Sequence, residues 1–174
     1  VAIEHLVVDG GSTDGSRKIV SASAAQLIEA PGTSIYEAIN EGLALATGDA
    51  ICLLNSDDRL PNGAIAAALE ALSKDTTADI VRGRADVEVQ SDGGWTIERR
   101  GAITDALPLR KVLFGPTNIN ACVFRRCVVD RIGRFNPVHR ISADREWLVR
   151  AVLDGVRILD IAQPLYVYRS HAGS

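Results

Sequence analysis

The sequence predicts an α/β layered fold on a mostly parallel sheet flanked by helices. Three observations carry that prediction. Short runs rich in Val, Ile and Leu alternate with helix-length segments three times between residues 3 and 72. Each intervening helix is long enough to return the chain for a parallel neighbour. After residue 78 the pattern changes to paired β segments around a Ser-Asp-Gly-Gly turn, which predicts a smaller antiparallel part in the C-terminal half. The 174 residues therefore read as one domain in two parts, 1–78 and 79–174.

The elements follow in order. Residues 3–8 are aliphatic and β-branched, as in a buried strand. The Gly-rich turn "DGGSTDGS" leads into a helix over 14–25, with Ser12, Thr13 or Asp14 as candidate N-cap. Residues 26–29 form a short strand. A helix over 34–46 carries Ile35, Ile39 and Leu43 on one face. Residues 50–54 are the next strand, and Pro61 suits the first turn of a helix to about residue 72. In the second half the pattern predicts a hairpin of residues 80–89 and 95–99, a strand over 120–124, a helix over 142–153, and late strands over 156–161 and 165–168.

Composition narrows the function. At 47% hydrophobic and 24% charged the chain is globular, not disordered. A net charge of −3, without clustered Lys or Arg, argues against a nucleic-acid partner. No run approaches the roughly 18 apolar residues of a membrane span. Cys52, Cys122 and Cys127 form no Cys-x-x-Cys pair, and reduced thiols predict a cytoplasmic setting. The chain contains no Met and starts almost directly in a strand, so it is expected to be a piece of a longer protein.

The chemistry concentrates where strands end. Val8 runs into Asp9, and Leu54 runs into Asn55-Ser56-Asp57-Asp58. Ligands of open parallel sheets gather at the carboxyl ends of strands, so these acids are expected on one edge. A divalent cation with a preference for oxygen, Mg²⁺ or Mn²⁺, would neutralise them. Adjacent side chains in extended chain point to opposite sides. One of Asp57 and Asp58 can take the ion while the other holds a hydroxyl or a backbone group. "DGGSTDG" lacks the spacing of phosphate-binding loops and carries Asp9 and Asp14 but no base. It suits neutral donors, such as ribose hydroxyls or a base N–H, or else serves only to build a turn and cap a helix.

Four ordered segments, "HLVVDGGSTDGS", "SIYEAINEGLALATGDAICLLNSDDRL", "ADREWLVRA" and "PLYVYRSHAGS", resemble family 2 glycosyltransferases over nearly the whole chain. The resemblance implies a GT-A fold and inverting, Mn²⁺- or Mg²⁺-dependent transfer from a nucleotide-diphosphate sugar donor to a saccharide or lipid-linked acceptor. It implies that Asp9 and Ser12 meet the base or ribose, and that Ser56-Asp57-Asp58 is a variant DXD motif. In that motif Asp58 would be the metal ligand and Asp57 would lie nearer the ribose or sugar. Asp144 would be the base that deprotonates the acceptor, and His171 would approach the metal or diphosphate. Ser142 as N-cap would put Asp144 in the first helical turn, where the dipole favours its ionised form. Trp147, one turn on, is either a wall of the acceptor site or core. His5 is expected to pack inside the first strand.

Family members usually begin with a strand and helix before "VVDGGSTDG". Their absence here predicts a missing central strand, an exposed edge and a tendency to self-associate as a homo-oligomer. Asn118 and Asn120 stand where relatives often show a His. The expected role is surface polysaccharide synthesis at the inner membrane face, with peripheral membrane contact. The alternative is a non-catalytic or degenerate nucleotide-sugar-binding module.

Overall fold

The computed structural model describes residues 1–91, 93–101, 112–113 and 118–171. Asp92 of the predicted hairpin turn and residues 172–174 of the last motif lie outside them. The first half contains β1 (Leu6–Asp9), α1 (Ser16–Ser21), β2 (Gln26–Glu29), α2 (Ile35–Leu45), β3 (Ala50–Cys52) and α3 (Ala64–Lys74). The second contains β4 (Ile80–Ser91), β5 (Gly94–Arg99), a 3-10 turn over Ile119–Ala121, β6 (Cys122–Arg125), α4 (Arg126–Ile132), α5 (Ala143–Leu153) and β7 (Ile158–Ser170). No helix among the described residues is long and apolar enough to cross a membrane.

The strands form two sheets. β1 and β2 pair in parallel, Leu6 opposite Gln26 and Asp9 opposite Glu29. The larger sheet runs β3-β6-β4-β5, with β7 parallel to β4. β6 lies antiparallel between β3 and β4, so β3, β4 and β7 share one direction. The antiparallel share is thus larger than the sequence pattern suggested. β1 and β3 do not pair with each other, so each keeps an open edge among the described residues.

Alternation along the strands divides the core between two faces. Ile80, Phe124 and Cys122 face the cluster built with Tyr36 and Leu43 of α2, Val128 and Val129 of α4, and Trp147 and Leu148 of α5. Their neighbours Val81 and Val123 face the other cluster, with Ala64, Ala68 and Leu72 of α3 and Leu165 of β7. Ala64, Ala68 and Leu72 recur at four-residue spacing, and the two alanines let α3 lie close to the sheet. Arg125 fastens that layer, donating through Nη2 to the Leu72 carbonyl at 2.7 Å and through Nε to that of Ala78 at 2.8 Å. By contrast, α1 has no buried residue, and the only buried residue of β1 is Asp9.

Several boundaries differ from expectation. β3 ends at Cys52, two residues early, because the chain turns into the acidic loop. The helix after it starts at Ala64 and not Pro61; Gly63 at φ 77° makes the entry. α4 follows β6 with no gap and was not anticipated. β7 is one continuous strand through Gln163-Pro164, because shifts in the β4 register around Gly83 absorb the proline. His5 is exposed just before β1 and does not pack in it.

Candidate active site

The loop that follows β3 is folded around Asp58. This side chain is 7% exposed. Its Oδ2 accepts from the Tyr166 hydroxyl and from Asn55 Nδ2 (3.2 Å), and its Oδ1 accepts from the Arg169 backbone N–H at 2.8 Å. Tyr166 in turn accepts from the Asn55 backbone N–H (3.4 Å) and from Asn120 Nδ2 (2.9 Å). Burial, then the hydrogen bond to Asp58, pushes the Tyr166 phenol far up, so it stays a donor. Arg59 and Val167 exchange both backbone hydrogen bonds, at 3.1 and 2.9 Å. The acidic loop is therefore fastened to β7.

Asp57 does the opposite. It is exposed, and its Oδ2 lies 3.6 Å from Nε2 of His171, just past the end of β7. The resemblance implies Asp58 as metal ligand and Asp57 nearer the sugar; here Asp58 is turned onto Tyr166 and the Arg169 N–H, while Asp57 and His171 face each other. Beside them Glu88, 5% exposed, receives Arg59 Nε at 3.1 Å and lies 3.6 Å from Arg169 Nε. The hydrogen bond from Arg59, followed by the charges of Arg59 and Arg169, holds the Glu88 carboxyl below its ordinary range against desolvation. The Arg169 guanidinium lies 5.0 Å from the ring centre of Trp95 on β5.

Asp9 builds its own turn. Oδ2 accepts from the N–H of Gly11 at 3.2 Å and Ser12 at 3.1 Å, and Arg17 Nε stands 3.7 Å away. The Ser12 hydroxyl is the first cause holding the Asp9 carboxyl below its usual range, with the backbone N–H groups and Arg17 adding to it. Asp14 accepts from Ser16 N–H (3.0 Å) and Ser16 Oγ (2.7 Å), while the α1 N-cap is Gly15 at φ 96°, with no side-chain cap. The turn residues expected to cap this helix act one step earlier. Gly32 N–H reaches the Gly10 carbonyl at 3.2 Å, setting the Pro31-Gly32 loop against the Asp9 turn.

Asp144 lies in the first turn of α5, as expected, although the N-cap Ser142 makes no side-chain cap bond. Its Oδ1 accepts from the Tyr36 hydroxyl at 3.1 Å. Burial, then the Asp144 charge, raises the Tyr36 phenol above its ordinary value. Tyr36 lies within a capping box in which Ser34 Oγ accepts from Glu37 N–H and Glu37 accepts from Ser34 N–H at 2.8 Å. Its ring stacks on Phe135 at 5.9 Å, and Phe135 stacks on Trp147 at 5.3 Å. Trp147 is fully buried and donates to the Gly133 carbonyl at 2.9 Å, so it is core and not a wall of the site.

Sequence reasoning singled out the loops after β1 and β3 but not the side chains packed against their acids: Tyr166, Asn55, Glu88, Arg59 and, at Asp144, Tyr36. The alternation in "YVYRSH" is the signal that could have directed Tyr166 inward. Asn118 and Asn120 are structural: Asn118 Oδ1 accepts from Asn120 N–H at 3.0 Å, and Asn120 serves Tyr166. Their neighbours Pro116 and Thr117 lie outside the described residues. Among the described residues no three His, Cys, Asp or Glu side chains form a metal cage. Of the Asp57–His171 pair, Asp57 offers the carboxylate oxygen that a hard divalent ion would take, with its other positions left to substrate phosphate and water.

The acidic loops thus follow strands of two different sheets, Asp9 ending β1 and Asp57-Asp58 following β3, with a further carboxylate, Asp144, in the first turn of α5 of an α/β domain. The model of "Glycosyl transferase family 2" matches residues 2–133, and the chain belongs to that family of enzymes. An uncharacterised glycosyltransferase of Mycobacterium tuberculosis is 34% identical over 158 residues, 87% of this chain and 58% of the relative. A PGL/p-HBAD biosynthesis glycosyltransferase of Mycobacterium bovis is 32% identical, covering 84% of this chain and 57% of the relative. The chain thus spans a little over half the length of these curated relatives. Among solved structures, Staphylococcus aureus TarS with UDP-GlcNAc superposes at a TM-score of 0.75 with 16% identity, over 98% of this chain and 50% of that one. The mannosyltransferase PcManGT of Pyrobaculum calidifontis, with GDP-Man and Mn²⁺, gives 0.65 and 20%, over 94% and 47%. At such identities these two speak for the GT-A-like fold.

Proposed function

We propose that this domain moves a sugar from a nucleoside-diphosphate donor to a hydroxyl of a saccharide or lipid-linked acceptor, with inversion in one displacement. The observation that carries the reading is the division between two adjacent acids: Asp58 turned inward onto Tyr166, Asp57 outward opposite His171. In this reading the ligand role passes from Asp58 to Asp57, and His171 keeps its place. A Mn²⁺ or Mg²⁺ ion held there would act as a Lewis acid on the departing diphosphate. Asp9 and Ser12 present the ribose- and base-facing turn. Asp144 accepts the proton of the attacking hydroxyl.

The relatives lend support. One is described as acting in PGL/p-HBAD biosynthesis, and two of the solved structures hold UDP-GlcNAc or GDP-Man, the latter with Mn²⁺. In our reading the reaction belongs to surface glycan synthesis, at the inner face of the membrane. Peripheral membrane contact and self-association through the open edges belong to the same reading. Calorimetric titration with UDP-GlcNAc and GDP-mannose, with and without Mn²⁺, tests it. Metal-dependent binding that disappears in Asp57→Ala is expected; equal binding by that variant removes Asp57 from the site.

A second reading, a non-catalytic nucleotide-sugar module, draws on the sparse burial of β1 and α1. Donor binding without any transfer or donor hydrolysis by the full chain would favour it.

A further inference from the structure

We propose that Tyr36 is a positioning residue for Asp144, holding the carboxylate by one oxygen so that the other is presented to the acceptor hydroxyl. The inference rests on Asp144 being the base. Its geometric ground is independent of that role. Tyr36 Oη lies 3.1 Å from Asp144 Oδ1, and Oδ2 has no hydrogen-bond partner among the described residues.

The contact is built from both sides. On α2 the capping box at Ser34 and Glu37 fixes the first turn, and with it the direction of the Tyr36 side chain. One turn later Asn40 clamps the backbone of Phe135, donating to its carbonyl at 2.8 Å and accepting from its N–H at 3.0 Å. Phe135 is thereby held as the middle ring between Tyr36 and Trp147. Trp147 shares α5 with Asp144, three residues on, so the stack sets the distance between the start of α2 and the first turn of α5. Tyr36 is 8% exposed, and its hydroxyl meets Asp144 in a part-buried contact. The ring of Tyr36 would fill its place as phenylalanine. The hydroxyl is what reaches the carboxylate, and catalytic groups lose rate when their geometry is loosened.

Tyr36→Phe keeps the stack and removes the hydroxyl. In the full chain, nucleoside-diphosphate release from UDP-GlcNAc or GDP-mannose, whichever is turned over, is expected to lose about tenfold in kcat, the worth of one hydrogen bond to a charged group, while donor KM stays within about twofold. A purely structural role would lower the melting temperature and raise KM instead. Unchanged kcat overturns the proposal. A second readout needs no turnover: the ¹³Cζ resonance of Tyr36 should shift when Asp144→Ala removes its acceptor, and an unmoved resonance overturns the contact. If Asp144→Asn keeps full transfer while that resonance does shift, the base assignment fails and the positioning role with it, but the hydrogen bond stands.

Discussion

The hydroxyl of Tyr166 donates to the carboxylate of Asp58, 108 positions earlier in the chain. One phenol on the last strand thereby organises the loop that carries the outward-facing acid. Tyr166→Phe removes a donor to Asp58 and the acceptor used by Asn55 N–H and Asn120. A loss of about 1–3 kcal/mol is expected, because buried polar groups would be left unpaired. Urea denaturation checks it, and an unchanged midpoint would contradict the network.

The two neighbouring acids should separate cleanly by mutation. Asp57→Asn is expected to leave stability within about 0.5 kcal/mol, as for an exposed position, while abolishing Mn²⁺-dependent donor binding. Asp58→Asn should instead lower stability, because an amide cannot satisfy the Tyr166 hydroxyl, the Asn55 amide and the Arg169 N–H as a carboxylate does. Thermal melts and calorimetry on both variants decide; a reversed pattern would return the ligand role to Asp58.

Glu88 gives a pH dependence with a definite sign. Its native carboxyl titrates below the ordinary 4.5, chiefly through the Arg59 hydrogen bond. The stabilisation is fully present above the unfolded value and is lost as the pH falls through the lowered native value. Glu88→Gln should therefore flatten the acid limb of a stability-versus-pH curve below about 4.5. Parallel limbs for the two proteins would show that Glu88 is not responsible.

Gly83 marks a close approach of β4 and β7. A Cβ placed there would lie 2.3 Å from Leu165 Cγ and 2.6 Å from the Gln163 carbonyl oxygen. The backbone oxygen cannot swing away as a side chain can. Gly83→Ala is expected to cost about 1–3 kcal/mol, read as a lowered denaturation midpoint. Wild-type stability in that variant would mean that the bulge relaxes freely.

Much of the frame was legible because period-two alternation sorts Ile80 from Val81 and Phe124 from Val123 onto opposite faces. β7 was read as two strands because proline removes a ladder donor, and only the irregular register opposite Arg82 and Arg84 accommodates it. α4 gave no start signal, since Arg125 precedes it without a capping side chain. In the site, Asp57 and Asp58 do point apart, but within a turn closed by the Asp58 N–H on the Asn55 carbonyl at 3.2 Å and not in the extended chain from which that was argued. Which one turns inward depends on Tyr166, a contact that no local pattern encodes. The same holds for Tyr36 and Asp144, also 108 positions apart.

The two tryptophans sit in opposite environments: Trp147 at 0% exposure in the aromatic stack, Trp95 at 37% beneath Arg169. Each is an optical probe of a different event. Acrylamide should quench the emission of Trp95 and spare that of Trp147. A spectral change on adding donor would then report from the Arg169 side, whereas a red shift of the shielded indole would announce that the interior itself has opened.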